Sequence, residues 1–273
     1  MDILEQIVMF KREEVRERKT LFPTSLLEKS KYFHKKPLSL SQYLTQPDRS
    51  GIIAEFKRRS PSKGIINDKV SVEHTAIGYV DAGASALSVL TDTKFFGGTN
   101  EDLVTARIFS SCPILRKDFI IDEYQIIETK SIGADAILLI AGVLSPEKLN
   151  HLAAFAHTLE LEVLMEVHNG EELQAHLVDS VDLIGVNNRN LKTFKVDINT
   201  SLSLSDMIPR QFVKISESGI NNPALVVELR KVGFQGFLIG EYFMAQNNPG
   251  EACAEFIAKI QLLEGKKERW NDA

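Results

Sequence analysis

Short apolar segments recur along most of the chain, separated by longer segments in which apolar residues fall at helical spacing. The apolar segments lack the strict alternation of a half-exposed sheet, which is typical of parallel strands covered on both faces. Eight strands are predicted: Ile52–Phe56, Ala86–Leu90, Ile114–Arg116, Ala136–Ile140, Glu162–Met165, Leu183–Val186, Val213–Ile215 and Phe237–Ile239. Seven helices are predicted: Val72–Asp81, Glu101–Phe109, Glu123–Ser131, Pro146–Leu159, Gly170–Leu177, Pro223–Val232 and Pro249–Leu262. A weaker pattern at Thr200–Met207 indicates a further short helix.

Residues with known positional preferences mark the ends of several predicted helices. Ser145-Pro146-Glu147 supplies an N-cap, a proline at the first helical position and an acidic residue in the first turn. Three glycines follow predicted helices and precede predicted strands: Gly83, Gly133 and Gly233. Each fits the left-handed position beyond a helix end, where a Cβ atom is unfavourable.

Eight strand–helix units predict an α/β fold in which a parallel sheet closes into a (β/α)8 TIM barrel. A doubly wound open sheet is the alternative, and it normally carries a glycine-rich dinucleotide-binding loop after its first strand. In this chain the corresponding loop reads KRRSPSKG, which lacks that glycine pattern. The sequence therefore favours the closed barrel.

Helical patterns also precede the first strand. An amphipathic helix is predicted over Asp2–Lys19, with its charged residues on a solvated face, and a short helix over Thr24–Lys31. We expect residues 1–48 to form an N-terminal helical extension packed on the barrel and residues 49–263 to form the catalytic barrel, in a single domain overall. Residues 264–273 are expected to form a tail, with Trp270 at its surface.

Composition narrows the class of protein and its partners. The hydrophobic fraction of 44% and the charged fraction of 25% are ordinary for a globular protein, and the net charge of −5 disfavours a nucleic-acid surface. Cys112 and Cys253 form no CxxC pair and are expected to be buried, inert thiols. With no signal peptide or membrane span in the pattern, we expect a cytoplasmic protein. We also expect it to be a monomer. The six histidines lack metal-ligand spacing and are expected at the surface or in helix packing.

Polar residues follow several predicted strands directly. Strands one, three, five, six and seven end near Glu55, Lys57, Lys117, Glu166, Asn187 and Glu217. The carboxyl ends of barrel strands meet at one face, so these side chains are predicted to share one site suited to acid–base catalysis. Ser218-Gly219 and Gly240-Glu241 follow the last two strands, where barrels often bind phosphate. Two plainer interpretations stay open: KRRSPSKG as a basic surface loop, and the glycine pairs as simple turns.

Seven motifs, in order and at suitable spacing across about residues 50–245, resemble those of the indole-3-glycerol phosphate synthase family. They are IIAEFKRRSPSKG (Ile52–Gly64), LTDTKFFGG (Leu90–Gly98), PILRKDFIIDEYQI (Pro113–Ile126), LMEVHN (Leu164–Asn169), IGVNNRNLKTF (Ile184–Phe194), SESGI (Ser216–Ile220) and LIGEYFM (Leu238–Met244). The resemblance implies a lyase of tryptophan biosynthesis that closes, decarboxylates and dehydrates 1-(2-carboxyphenylamino)-1-deoxyribulose 5-phosphate. It implies a small-molecule substrate and no metal or organic cofactor.

The resemblance also implies roles for individual residues. Lys117 is the general acid for ring closure, Glu166 is the acid/base partner for dehydration, and Lys57 binds the substrate anions and shares the proton transfer. Substrate-binding roles are implied for Glu55, Asn187, Arg189, Glu217, Phe96 and Phe119, the two phenylalanines lining the anthranilate pocket or simply packing in the core. Phosphate-binding roles are implied for Ser60, Ser218, Gly219, Gly240 and Glu241.

One residue departs from the family pattern. Tyr242 stands where the family commonly has a small residue, and it is expected to alter the packing behind the phosphate loop. Two other function classes remain compatible with the residues alone. One is another phosphosugar barrel enzyme, such as an isomerase or a Schiff-base aldolase, and the other is a non-catalytic scaffold that binds phosphometabolites.

Overall fold

Eight parallel strands close into a barrel in the computed structural model, which describes residues 3–191 and 193–265. The strands are β1 Ile52–Phe56, β2 Ala86–Leu90, β3 Ile114–Lys117, β4 Ala136–Ile140, β5 Glu162–Val167, β6 Leu183–Asn187, β7 Val213–Glu217 and β8 Gly236–Ile239. Each strand pairs with its neighbours in sequence, and β8 closes the barrel on β1 with Leu238 opposite Ile53. The predicted (β/α)8 barrel is therefore confirmed, and the open sheet is wrong.

Helices surround this barrel and precede it. They are α1 Ile3–Leu21, α2 Thr24–Leu27, α3 Leu40–Thr45, α4 Val72–Asp81, α5 Thr93–Phe96, α6 Asn100–Ile108, α7 Glu123–Ile132, α8 Pro146–Thr158, α9 Gly170–His176, α10 Asn199–Leu204, α11 Pro223–Lys231, α12 Glu241–Met244 and α13 Pro249–Leu263. A 3₁₀ turn, Ser205–Met207, follows α10. None of the helices in the described part of the chain combines the length and apolar composition that a membrane span needs.

The structure corrects several predicted boundaries. Four strands, β3, β5, β6 and β7, run one or two residues further than predicted and take in polar residues that the apolar pattern had assigned to loops. The helix predicted over Thr24–Lys31 ends at Leu27, and the one predicted over Thr200–Met207 changes to 3₁₀ geometry after Leu204. The KRRSPSKG loop contains a small antiparallel pair, Arg59–Ser60 with Gly64–Ile65. Trp270 and the rest of the predicted tail beyond residue 265 lie outside the described residues.

The predicted helix ends are confirmed in geometry. Ser145 accepts a hydrogen bond from the Lys148 N–H as the N-cap of α8. Gly83, Gly133 and Gly233 all adopt positive φ, between 86° and 93°. These glycines let the chain reverse from helix into the next strand without the steric cost of a Cβ atom.

Two layers of apolar side chains hold the barrel together. The outer layer lies between the strands and the surrounding helices, and it includes both cysteines. Burial raises the pKa of Cys112 to about 11 and that of Cys253 to about 12, as expected for inert thiols. The inner layer fills the barrel and is joined at its N-terminal end by Leu40 and Leu44 of α3. This filled interior leaves the opposite, C-terminal end of the strands as the place for a site.

The N-terminal extension contacts the barrel at both the C-terminal and the N-terminal ends of its strands. At the C-terminal end of the barrel, Lys11 of α1 is 1% exposed and lies 3.0 Å from Asp92 and 2.9 Å from Asp118. At the other end, the side chains of Ser39 and Ser41 donate hydrogen bonds of 2.6 and 2.7 Å to Glu162 at the start of β5. The prediction that the charged residues of α1 form a solvated face is therefore wrong for Lys11.

We expect Lys11→Met to destabilise the fold by about 3 kcal/mol, because it removes the buried cation beside Asp92 and leaves Asp118 with Arg116 alone. Burial alone would raise the pKa of Asp118, but Lys11 and Arg116 hold it well below its ordinary value. This stabilisation is complete above the ordinary aspartate pKa, about 3.9, and is lost as the pH falls further. Urea unfolding at pH 7 and at about pH 2 measures both effects.

Lys19→Met is the matched control for this substitution. Lys19 also belongs to α1 and pairs with Asp122, but its side chain is 47% exposed. An exposed ion pair contributes less than about 1 kcal/mol, so the control should unfold almost like the wild type. Equal destabilisation by the two variants would contradict the role assigned to the buried lysine.

Candidate active site

A cavity of about 920 Å³ opens at the C-terminal ends of the barrel strands. Its volume lies within the range of about 300–1,000 Å³ usual for small-molecule sites. The residues predicted for the site from the sequence all line this cavity: Glu55, Lys57, Ser60, Phe96, Lys117, Phe119, Glu166, Asn187, Arg189, Glu217, Ser218, Gly219, Gly240 and Glu241. Residues of β1, β3, β5, β6 and β7 thus converge as expected from the barrel, while their chemical roles are a separate question.

Lys117 is the centre of the polar cluster. Its Nζ atom lies 2.8 Å from Glu166 Oε2 and 3.2 Å from Glu217 Oε2. Burial alone would lower the pKa of Lys117, but the two carboxylates raise it well above its ordinary value. The cluster therefore keeps a cation in the cavity whose proton can pass to a bound molecule that displaces a carboxylate.

The two carboxylates beside Lys117 have opposite pKa shifts. Burial would raise the pKa of Glu166, but Lys117 and His168 lower it. Burial raises the pKa of Glu217 to about 7, with Lys117 opposing the rise and Glu166 adding to it. At neutral pH Glu166 is thus a proton acceptor and Glu217 is a partly protonated acid. Such a pair is typical of acid–base sites.

A second ion pair lies across the barrel mouth at the end of β1. Lys57 Nζ donates a 2.6 Å hydrogen bond to Glu55 Oε1, and Ser88 donates one of 3.2 Å to Glu55 Oε2. A Cβ atom at Gly240 would lie 2.6 Å from the same Glu55 Oε1. Glycine is therefore needed at residue 240 to make room for the Glu55 side chain, whether or not Gly240 also binds phosphate.

A glycine inside β6 has a similar function that the sequence analysis missed. A Cβ atom at Gly185 would lie 2.3 Å from Glu217 Oε1. The neighbouring Asn188 is buried, and its amide donates hydrogen bonds to Ser216 Oγ and to the Glu217 carbonyl oxygen. Glycine within a strand often marks such a close approach, so a signal for Gly185 was present in the sequence.

The loops after β7 and β8 form one end of the cavity with the loop after β1. Ser218 and Gly219 both have positive φ, 67° and 79°, which turns the chain sharply at the cavity wall. Lys63 and Arg189 lie 3.3 and 3.1 Å from the Glu241 carboxylate. Two cations and a serine-rich loop, with Ser60 at its base, give this end the chemistry of an anion site.

Aromatic and aliphatic side chains form the rest of the cavity wall. The Phe96 and Phe119 rings lie 6.0 Å apart, and both face the cavity. The sequence analysis missed three residues of α1 that also line it: Ile3, Leu4 and Ile7. This apolar wall can accept a flat ring.

Tyr242 is accommodated by an aromatic cluster behind the Gly240-Glu241 loop. Its ring centroid lies 5.4 Å from that of Phe256 on α13 and 5.8 Å from that of Phe243. The residue also lines the cavity, while Gly240 keeps its place beside Glu55. The larger side chain therefore packs behind the loop without removing the predicted residues from the cavity.

His168 corrects the prediction that the histidines lie at the surface or in helix packing. It follows β5 and its Nε2 atom lies 3.5 Å from Glu166 Oε1, directly behind the polar cluster. Metal-ligand spacing, the pattern considered for the histidines, does not detect a contact of this kind. Within residues 3–191 and 193–265, no three histidine, cysteine or acidic side chains are arranged to hold a metal ion.

Comparison with known proteins agrees with this geometry. Residues 4–256 match the sequence model of the family described as indole-3-glycerol phosphate synthase. Proteins of that name from Bacteroides thetaiotaomicron, Salinibacter ruber and Bordetella pertussis are 49%, 43% and 41% identical to this chain. The alignments cover 95%, 98% and 94% of this chain and 99%, 97% and 99% of those relatives. The chain therefore belongs to the indole-3-glycerol phosphate synthase family.

Proposed function

We propose that this cavity converts 1-(2-carboxyphenylamino)-1-deoxyribulose 5-phosphate into indole-3-glycerol phosphate, carbon dioxide and water. Membership of the family supports the reaction. The single observation that carries the assignment of the site is the contact of Lys117 with both Glu166 and Glu217 inside a cavity that also holds a second lysine. A binding scaffold needs no such arrangement of acids and bases with opposed pKa shifts.

Ring closure is the step we assign to Lys117. The ring carbon that bears the carboxylate attacks the substrate carbonyl carbon, and negative charge develops on the carbonyl oxygen. A positioned ammonium group stabilises that charge and transfers a proton to the oxygen. Lys57, paired with Glu55 at 2.6 Å, is placed to bind the substrate carboxylate and phosphate and to assist the transfer.

Dehydration is the step we assign to Glu166. After carbon dioxide leaves, the hydroxylated indoline must lose its hydroxyl group as water and a proton from the adjacent carbon. Glu166 is 2% exposed and lies within hydrogen-bond distance of Lys117, so a proton can move between them as the step proceeds. We assign Glu55, Asn187, Arg189 and Glu217 to positioning the amino and hydroxyl groups.

The substrate has an anionic phosphate at one end and an aromatic ring at the other, and the two ends of the cavity differ in the same way. We place the phosphate at the loops that carry Ser60, Ser218, Gly219, Gly240 and Glu241, beside Lys63 and Arg189. We place the anthranilate ring between Phe96, Phe119 and the apolar residues of α1. This orientation leaves the reacting carbonyl group between the ends, where Lys117 lies.

The direct test is incubation of the purified protein with the proposed substrate while indole absorbance is followed. Turnover supports the proposal, and a protein that binds the substrate without forming indole contradicts it. Borohydride added during turnover separates this reaction from a Schiff-base aldolase. A synthase should retain its activity and show no covalent adduct on Lys117, whereas an aldolase would be trapped through its lysine.

Ser60→Ala should weaken phosphate binding by about 10- to 100-fold and change kcat little. A hydrogen bond to a charged group contributes about 1.5–3 kcal/mol, and this one lies far from the bonds that change. The inhibition constant for inorganic phosphate measures the effect. Ser203→Ala, on the exposed face of α10, is the matched control and should leave that constant unchanged. An unaltered constant for Ser60→Ala would place the phosphate elsewhere.

We further propose that the chain functions as a cytoplasmic monomer. We also propose residues 1–48 as an extension of a single barrel domain rather than a separate domain, because Lys11 and Ser41 are bound to barrel residues. Light scattering after size exclusion should give a mass near 30.6 kDa, and a dimeric mass would contradict the monomer.

A further inference from the structure

His168 lies between the reacting cluster and the outer part of the barrel. It comes two residues after Glu166, so the side chains of both residues leave the end of β5 toward the same side. The ring is 12% exposed, and its Nε2 atom lies 3.5 Å from Glu166 Oε1. At that separation Nε2 makes no hydrogen bond to any described residue, so a small movement of Glu166 toward the ring would create one.

The other ring nitrogen is held firmly. Nδ1 lies 3.1 Å from Glu172 Oε2, and the same oxygen accepts the His168 backbone N–H at 2.8 Å. Asn169 fixes Glu172 in turn, because its side-chain oxygen accepts the Glu172 N–H at 2.8 Å and its amide donates to Glu172 Oε1 at 3.2 Å. Glu172 therefore holds the proton on Nδ1, and Nε2 is left to exchange a proton with Glu166.

The charges around the ring favour its protonated form. Three carboxylates from different elements face the ring: Glu166 on β5, Glu172 on α9 and Glu217 on β7. The ring also lines a second cavity of about 300 Å³, together with Lys195 and Asp197, which precede α10. Burial alone would lower the pKa of His168, but the hydrogen bond with Glu172 and the charge of Glu166 raise it. More of this ring is cationic at neutral pH than of a free histidine.

The proposed reaction consumes one proton in each turnover. The carbonyl oxygen takes up a proton as the carbon–carbon bond forms, and the same oxygen takes up a second when it leaves as water. The adjacent carbon releases one proton as the indole double bond forms. The substrate carboxylate leaves as neutral carbon dioxide and supplies no proton. Each turnover therefore takes up a net one proton from outside the substrate. While the substrate fills the cavity, that proton must come from the protein.

We propose that His168 stores this proton and delivers it to Glu166 during turnover. The Nε2–H bond breaks, an O–H bond forms at Glu166 Oε1, and the ring is left neutral, with its remaining proton on Nδ1 in a hydrogen bond to Glu172. The neutral amine that Lys117 becomes on protonating the carbonyl oxygen takes this proton from Glu166 through their 2.8 Å contact, which restores the Glu166 carboxylate. After the product leaves, water refills the cavity and the ring is protonated again. His168 acts through Glu166 and touches no reacting atom, so it is a positioning residue.

This inference rests on the proposed function, and its first test is the pH dependence of kcat. Wild-type kcat should fall as the pH rises through the pKa of His168. His168→Asn should lower kcat about tenfold at neutral pH, less than the 10²–10⁴-fold of a direct donor, and should lose that alkaline decline. His74→Asn, at an exposed position of α4, is the control and should keep the wild-type profile. A lowered kcat with the decline unchanged would overturn the proposal.

Chemical rescue separates proton storage from simple packing. Imidazole added to His168→Gly should restore turnover in proportion to its protonated fraction. Pyrazole, a ring of the same size that stays neutral near pH 7, should not restore it. Equal rescue by the two rings would show that the ring only fills space and would overturn the proposal.

A titration of the substrate-free protein tests the charge state without any turnover. The His168 ring signals in an NMR titration should report a pKa above that of a free histidine, and Glu172→Gln should lower it. A ring already neutral at pH 6 would overturn the storage role even in an active enzyme. Failure of the wild type to form indole would instead contradict the proposed function, and the titration would still report on the His168–Glu172 pair.

Discussion

Lys117→Ala is expected to lower kcat by about two to four orders of magnitude while leaving substrate binding partly intact. The alanine removes the only cation that contacts both Glu166 and Glu217 in the described part of the cavity. Phosphate and ring contacts lie elsewhere in the cavity, so KM should change much less than kcat. Single-turnover absorbance with the purified variant measures the chemical step directly.

Lys117→Arg distinguishes proton donation from charge stabilisation. Arginine keeps the positive charge but does not release a proton near neutral pH. If Lys117 is the general acid, the arginine variant should be nearly as slow as the alanine variant. Recovery of most of the wild-type rate with arginine would show that the charge alone is needed. Near-normal turnover of the alanine variant would remove Lys117 from the mechanism altogether. Circular dichroism of each variant checks that the barrel remains folded.

Glu166→Gln is expected to stall the reaction late and to lower indole formation by about 10²–10⁴-fold. Glutamine keeps the shape of the side chain and accepts a hydrogen bond from Lys117, but it cannot exchange a proton. Ring closure and carbon dioxide release should therefore continue, and a hydroxylated indoline should accumulate. Single-turnover runs that follow carbon dioxide and indole absorbance separately measure the two stages.

The contact of Glu166 with Lys117 also allows a purely supporting role, in which the carboxylate only holds the lysine in place. That role predicts an early block, because a misplaced lysine fails in the closing step. Carbon dioxide release that outpaces indole formation supports the dehydration role, and equal slowing of both would reject it. Glu217→Gln provides a comparison, since Glu217 contacts the same lysine from β7 without being assigned to dehydration.

The barrel could be predicted from the sequence because parallel strands covered on both faces leave an unbroken apolar signal. The strand ends could not be placed from that signal. Glu166 and Glu217 are strand residues, but their side chains face the cavity and so interrupt the apolar pattern. The short helices α5 and α12 were missed for another reason. Four residues span little more than one turn, too few to show a helical period.

The site could be predicted because its motifs lie at strand ends. The barrel brings those ends together regardless of their distance in sequence. The supporting contacts could not be found in this way. Lys11 looks like one charge among many on a solvated helix, and only the fold places it against Asp118. His168 lies two residues from Glu166 in the sequence, yet its contacts with Glu166 and Glu172 depend on how β5 ends and α9 begins.

The two-ended attachment of the N-terminal extension has a consequence for the order of folding. Residues 3–45 leave the ribosome before the barrel, but Ser41 binds Glu162, which lies 121 positions later in the chain. Helix α3 also packs against β7, near residue 213. Helix α3 therefore waits for most of the barrel before it can dock. Contacts so distant in sequence form late and slowly, and here they close the N-terminal end of the barrel.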